Sequence, residues 1–213
     1  MSALSQAVAA WIAANPGLTW AVAFTVATAE SIVVVGALVP GTPILLALGA
    51  AASLGHASLP GIVAAAVIGA VVGDGVSYWL GHRHRDRLRG GWPFVSRPAL
   101  LARGEAFFAR WGAAGVAFAR FLPGVRAVVP VVAGMLGMRP AVFYVANVLS
   151  ALVWAPLHVL PGAAVGWLAA WHLPADLDDL ALPAIVACGV SVWLLHRVWQ
   201  GRRRVRRVTN VRS

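Results

Sequence analysis

The sequence predicts an all-α polytopic membrane protein with two opposed re-entrant helical hairpins surrounded by transmembrane helices. The chain of 213 residues is 60% hydrophobic and only 11% charged, whereas a soluble domain carries about 25% charged residues. Several apolar stretches reach the roughly 20 residues that a helix needs to cross a bilayer. Two Pro-Gly breaks interrupt other apolar stretches, and most of the resulting pieces are too short to span alone.

The first hairpin is predicted at about residues 18–55, after a moderately apolar, interfacial N-terminal segment at 1–17. Residues 18–39 are apolar except for Glu30. Pro40, Gly41, Thr42 and Pro43 should then stop the helix, because proline lacks the backbone N–H that a helix interior requires. Residues 44–54 follow and make about half a span.

The second hairpin is predicted at about 106–138, where two short apolar pieces flank Pro123 and Gly124. Before it, residues 59–80 predict a full span with Asp74 near its end, followed by an Arg-rich polar segment at 82–104. After it, residues 141–171 predict a long helix that Pro156 and Pro161 should bend or split.

The membrane domain is expected to end with a span at 182–199, so that it covers 18–199 and leaves a basic tail at 200–213. The prolines of the two breaks stand 83 residues apart, and the segments VPGTPILLALGA and LPGVRAVVPVVAG align without gaps. Duplicated broken helices are typical of transporters. Two unrelated Pro-Gly kinks in an Ala-, Val- and Leu-rich chain would give the same pattern, and both interpretations stay open.

Charge predicts the orientation of the chain. The net charge of +10 comes from arginine alone, clustered in the 82–104 segment and in the tail. Basic segments beside spans mark the cytoplasmic side, so both are predicted to be cytoplasmic, while the side of the N-terminus stays open. Topology and anionic lipid headgroups account for the arginines, and nucleic-acid binding is not expected.

Four ionisable residues lie in or beside apolar stretches: Glu30, Asp74, Arg120 and Arg126. Each charge at mid-bilayer costs about 2.5–3.5 kcal/mol or more, so these groups must pair, change protonation or face water. We expect Glu30 to face Arg120 and Arg126, with the hairpins meeting tip to tip.

Arg120 and Arg126 are the predicted phosphate-binding residues. Arg126 follows Gly124, where a half-helix would begin, and helix starts and guanidinium groups both attract phosphate. Glu30 is the predicted counter-ion and proton carrier. Asp74 is a second candidate for the proton carrier or counter-ion. The alternative is a purely structural role, in which Asp74 caps its helix or pairs with Arg83 or Arg85.

Asn147 is predicted to support the site by hydrogen bonding across helices. A structural ion pair is the alternative for each charged residue. No nucleophile with a base is placed near the arginines, so an enzyme such as a lipid phosphatase is not expected, and no metal or cofactor is predicted.

The sequence also resembles the DedA family, the SNARE-associated or VTT-domain membrane proteins, over roughly residues 18–165. The most specific block is the run FARFLPGVR at 118–126. Glu30 ahead of Pro40-Gly41 matches another block. The remaining matches lie further along the chain, at Gly73, Asp74, Tyr78, Gly81, Ala133, Gly134, Met138, Phe143, Asn147, Ser150, Ala151 and Trp154.

The resemblance implies a protein of the bacterial inner membrane with two opposed re-entrant hairpins and a role in envelope integrity. It also implies transport of undecaprenyl phosphate toward the cytoplasmic leaflet, with Glu30, Arg120 and Arg126 at the positions of essential charged residues. Thr42 stands where many relatives carry an acid, which puts strict proton coupling in doubt.

We therefore expect a flippase for undecaprenyl phosphate or a similar lipid phosphate, with coupling to protons or sodium left open. The alternatives are an uncoupled phospholipid scramblase and an envelope-homeostasis membrane protein without transport. Membrane lipids are the expected partners, and homo-oligomerisation is left open.

Overall fold

The structure, a computed structural model, describes residues 15–172 apart from 33–34, 38, 56, 92–94, 97, 123–125 and 127. Several sequence predictions lie outside the described residues. They concern the interfacial segment as far as residue 14, the break residues Pro123 and Gly124, the last span at 182–199 and the basic tail at 200–213.

The described residues form helices and no strand, which confirms the all-α class for this part of the chain. A short 3-10 turn, Val35–Ala37, separates the first two helices. Ser58 begins the third helix by accepting a hydrogen bond from the backbone N–H of Gly61 at 3.3 Å. In chain order the helices are α1 Pro16–Ser31, α2 Gly41–Ser53, α3 Leu59–Arg83, α4 Arg85–Arg89, α5 Pro98–Ala119, α6 Val129–Met135 and α7 Pro140–His172.

Within the described residues, two helices are long and apolar enough to cross a membrane, α3 over 25 residues and α7 over Pro140–Leu168. At 1.5 Å per residue, α3 is about 37 Å long, more than the hydrocarbon core of about 30 Å. Their outward faces carry exposed Val, Leu and Ile side chains, such as Ile68 on α3 and Val145 and Leu149 on α7. This is the surface that lipid contact favours.

Pro156 and Pro161 were expected to bend or split the last long helix. The split is wrong, because both prolines lie inside the continuous α7, and the bend stays a prediction. Membrane helices tolerate proline when neighbouring groups compensate for the lost backbone hydrogen bond. Gly162, just after the second proline, packs so closely on the carbonyl of Leu46 in α2 that a Cβ would overlap it. The tight α2–α7 contact supports this part of α7.

Helix boundaries differ from the predictions at both hairpins. α1 ends at Ser31, before the predicted residue 39, because the backbone of Ile32 is extended, with φ of −82° and ψ of 132°. α2 begins at Gly41, at the predicted break. α5 starts at Pro98, inside the segment predicted to be a polar loop, and bends at Gly112, whose φ of 51° lies outside the helical region. The re-entrant path of both hairpins stays a prediction.

Small residues bring the helices around the charged site together. Gly69 and Gly73 of α3 lie directly against backbone carbonyls of α1, those of Phe24 and Thr28. The Thr28 hydroxyl donates to the carbonyl of Gly69 at 3.0 Å. Close backbone contact of this kind drives the association of helices in lipid, because the hydrophobic effect does not drive it there. It places the end of α1 beside the middle of α3.

Candidate functional site

The four charged residues singled out in the sequence form two ion pairs. Glu30 comes from the end of α1, Asp74 from α3, and Arg120 and Arg126 from the chain between α5 and α6. Arg126 Nη2 lies 2.9 Å from Glu30 Oε1, and Arg120 pairs with Asp74 through Nη2 and Oδ2. Two carboxylates and two guanidinium groups are therefore gathered within a bundle of largely apolar helices.

Arg120 is held on several sides and is only 7% exposed. Besides the pair with Asp74, its Nη2 donates to Asn147 Oδ1, and its Nε donates to Ser150 Oγ at 3.0 Å. The Asn147 amide in turn donates to the carbonyl of Val71 at 3.1 Å. A buried cation fixed in this way by an anion and two neutral acceptors can order α3, α5 and α7 against one another.

Arg126 is less enclosed, with 23% of its side chain exposed. Its Nη2 also donates to the backbone carbonyl of Glu30 at 3.2 Å. Its own backbone N–H donates to the carbonyl of Leu122 at 3.2 Å, which keeps it near the end of α5. A guanidinium has five N–H donors. Arg126 is thus the arginine of the site with more access for a further acceptor.

The carboxylate of Glu30 meets the beginning of α2 at the predicted break. Gly41 lies so close to Glu30 Oε2 that a Cβ would overlap the oxygen. This oxygen is buried and accepts no hydrogen bond from the residues that the structure describes. A helix start favours negative charge. Pro40 and Gly41 therefore serve the site by letting α2 begin directly at the carboxylate, with the half-buried Thr42 next along the helix.

The indole of Trp154 forms one wall of the site and is buried. The guanidinium carbons of Arg120 and Arg126 each lie 5.8 Å from its ring centroid. The ring of His158 lies 4.4 Å from it on α7. Attraction of cations to an indole face offsets part of the cost of holding two like charges near each other.

The space between these residues is small. A cavity of about 10 Å³ is lined by Ser31, Asp74, Arg120, Arg126 and Trp154. One water needs roughly 10–15 Å³ by the same measure, so a phosphate group does not fit. The arrangement described is therefore a closed one.

The predicted pairings are confirmed in one case and wrong in another. Glu30 pairs with Arg126 as expected, but Arg120 pairs with Asp74 rather than with Glu30. Asp74 does not cap α3 or pair with Arg83 or Arg85, because it lies two and a half turns before the end of α3 and points to Arg120. Asn147 takes part in the site because its side-chain oxygen accepts a hydrogen bond from Arg120, as Asp74 and Ser150 also do.

The site roles of Ser150 and Trp154 were not predicted. Both follow Asn147 on α7, at positions 147, 150 and 154. Steps of three and four residues place side chains on one helix face. Because of this spacing, the prediction that Asn147 supports the site could have been extended to Ser150 and Trp154.

The comparisons with known proteins agree on one family. Residues 39–164 match the model of the VTT domain. The inner membrane protein YabI of Escherichia coli K12 is 34% identical over 194 residues, which cover 88% of this chain and 75% of YabI. Protein DedA of the same organism is 31% identical over 176 residues, covering 81% of this chain and 78% of DedA. No solved structure matches significantly. The resemblance noted in the sequence is thereby confirmed, and the chain belongs to the VTT-domain family of membrane proteins that includes DedA.

Proposed function

We propose that this membrane protein moves a lipid with an anionic phosphate head group, undecaprenyl phosphate or a similar carrier, across the bilayer. The observation that carries the proposal is the pairing of Glu30 with Arg126 and of Asp74 with Arg120 among apolar helices. Buried pairs of this kind add little net stability compared with apolar packing. Their presence therefore favours a functional reason for keeping charge inside the membrane.

Arg126 is the group that would receive the phosphate. Its ion pair within the described part of the chain is with Glu30, and 23% of its side chain is exposed. A guanidinium binds carboxylate and phosphate with the same two-pronged geometry. The carboxylate of Glu30 therefore occupies the position that a phosphate oxygen would take, and binding of the lipid would exchange one acceptor for the other.

Arg120 would add positive potential and hold the helices in place during this exchange. Its acceptors Asp74, Asn147 and Ser150 all lie on α3 and α7, the two long helices. Glu30 instead lies at the end of α1 and contacts Gly41 of the first Pro-Gly break, and Arg126 lies between α5 and α6, two residues after Gly124 of the second. The moving part would be the Glu30–Arg126 contact, because the cavity beside it must enlarge before a phosphate enters.

Proton coupling would depend on the protonation of Glu30 once the phosphate has displaced its carboxylate from Arg126. A carboxylate left unpaired in an apolar environment takes up a proton rather than stay charged. Glu30 could therefore bind a proton when phosphate takes Arg126, and Asp74 is the second candidate. Thr42 offers no titratable group in the position beside Gly41, so this coupling would rest on Glu30 and Asp74.

An uncoupled phospholipid scramblase is the second candidate. Thr42 favours it, because an acid expected beside the break from the family resemblance is missing here. In that case the same site would pass phosphate headgroups in both directions. Proteoliposome transport measured with and without a proton gradient separates the two candidates, since only the coupled protein accumulates lipid in one leaflet.

The decisive binding experiment uses purified protein and undecaprenyl phosphate, with Arg126→Gln and the control Arg110→Gln. Arg110 is exposed on α5 and lies over the ring of Trp111. A hydrogen bond to a charged group contributes about 1.5–3 kcal/mol, so Arg126→Gln should bind roughly 10- to 100-fold more weakly. Equal affinity of both variants and the unaltered protein would rule out the phosphate role of Arg126.

A further inference from the structure

A second cavity lies on the outer, lipid-facing side of α3, apart from the charged site. Its volume is about 540 Å³, within the range of 300–1,000 Å³ that small-molecule sites occupy. Val72, Val76 and Leu80 form an apolar wall along α3, and Tyr144 of α7 forms the opposite side. All three aliphatic side chains are exposed. We call this cavity the α3 groove.

The α3 groove has the length of one membrane leaflet. Val72 and Arg83 are eleven residues apart on one helix, which corresponds to about 17 Å. Half of the hydrocarbon core is about 15 Å thick. The Trp79 indole N–H donates to the Tyr144 hydroxyl at 2.9 Å beside the groove. Tryptophan and tyrosine are typical of the headgroup level, which places the Arg83 end at the membrane surface.

The two ends of the α3 groove differ in charge. Its Val72 end is apolar, whereas Arg83 and His84 line the other end. Arg83 is exposed, and no carboxylate of the described residues forms an ion pair with it. The following helix α4, RDRLR, adds three arginines against the single Asp86. Each arginine near an anionic membrane surface contributes about 1 kcal/mol of attraction, so this end favours a negatively charged headgroup.

We propose that the α3 groove is a binding site for one anionic phospholipid, with the phosphate on Arg83 and His84 and an acyl chain along Val72, Val76 and Leu80. This lipid differs from the transported one. Asp74 is buried and faces Arg120, whereas Val76 faces the groove from the other side of the same helix. The site therefore goes beyond the proposed transport and stands without it.

The test measures which lipid the purified protein keeps. The protein is equilibrated in micelles with equal amounts of phosphatidylglycerol and phosphatidylcholine of the same acyl chains, and native mass spectrometry counts the bound lipids. A contribution of about 1 kcal/mol from Arg83 predicts a preference for phosphatidylglycerol of about fivefold. Arg83→Gln should bring this ratio near one. Val76→Trp should lower the retention of both lipids by filling the groove.

Two control variants separate the groove from other causes. Arg110→Gln removes an exposed arginine away from the groove, and Val145→Trp enlarges an exposed side chain of α7 that does not line it. Both should keep the fivefold ratio. A ratio of one for the unaltered protein, or an unchanged ratio in Arg83→Gln, would overturn the proposal. Arg83 lies in the exposed last turn of α3, so its replacement should leave the fold intact.

Discussion

Arg126 lies 2.9 Å from the carboxylate of Glu30 and 3.2 Å from the backbone carbonyl of the same residue, although 96 positions separate them in the chain. One side chain thus joins the end of α1 to the segment between α5 and α6. The pair connects the two halves of the chain that each carry a Pro-Gly break.

The energetic coupling of Glu30 and Arg126 should be measurable in a double-mutant cycle. Glu30→Gln and Arg126→Gln each remove one charge, and the double variant removes both. Neighbours in one ion pair couple by about 0.5–3 kcal/mol, and partial exposure of Arg126 places the expected value near 1 kcal/mol. Thermal unfolding in detergent gives the four stabilities. Additive effects would show that the two side chains do not interact in the protein.

Replacement of Arg120 should destabilise the protein more than replacement of Arg126. Arg120→Gln leaves Asp74 as a buried carboxylate without its cation, and loss of one partner of a buried pair costs about 3–5 kcal/mol. Arg120→Lys should rescue only in part, because an ammonium group cannot reproduce the planar fork that reaches Asp74, Asn147 and Ser150. The measurement is the unfolding temperature. Asp74→Asn in the Arg120→Gln background should recover stability, and its failure to do so would contradict the pairing.

A single methyl group at Gly41 should disturb the site. Gly41→Ala places a Cβ on Glu30 Oε2 and forces the carboxylate to move away from Arg126. Gly41 has no positive φ, so the backbone itself accepts alanine. Gly17→Ala is the matched control, since a Cβ there meets no atom within 4 Å. We expect altered affinity for undecaprenyl phosphate in Gly41→Ala alone. Identical binding of the two alanine variants would speak against a close contact at the break.

The aromatic ring of Trp154 should contribute more to the stability of the protein than its indole N–H does. The indole nitrogen is buried and has no hydrogen-bond acceptor among the described residues, so Trp154→Phe removes no hydrogen bond seen in the structure. Trp154→Ala loses the ring over which both guanidinium groups lie, and removal of a buried aromatic side chain costs about 3–5 kcal/mol. Thermal unfolding should show a large loss for alanine and a loss of about 1 kcal/mol for phenylalanine. Equal losses in both variants would contradict the prediction, because phenylalanine keeps an aromatic ring and alanine does not.

Much of the fold was predictable because length and hydropathy alone indicate a membrane span. α3 and α7 agree with the predicted stretches at 59–80 and 141–171 within a few residues. The continuity of α7 through its prolines was not predictable, because tolerance of proline in a membrane helix depends on neighbouring helices, whose contacts cannot be read from the sequence. The early start of α5 was missed because its first turns contain Arg and Glu, which resemble a polar loop.

The composition of the charged site was predictable, but only part of its pairing was. The free-energy cost of placing a charge inside the membrane singles out four residues from the sequence alone, namely Glu30, Asp74, Arg120 and Arg126. Which carboxylate meets which arginine depends on the rotation of each helix, and two carboxylates with two arginines allow more than one neutral arrangement. The close α1–α3 contact at Gly69 and Gly73 sets this rotation, and the sequence gives no direct measure of it.

The pairing of two anions with two cations has an electrical consequence. With all four groups ionised, the charges of Glu30, Asp74, Arg120 and Arg126 sum to zero. A charge that crosses the membrane gains or loses about 2.3 kcal/mol per 100 mV of transmembrane potential. A neutral cluster that shifts as a unit gains nothing from this field. The membrane voltage would therefore do no net work on these four residues as long as they stay paired and ionised.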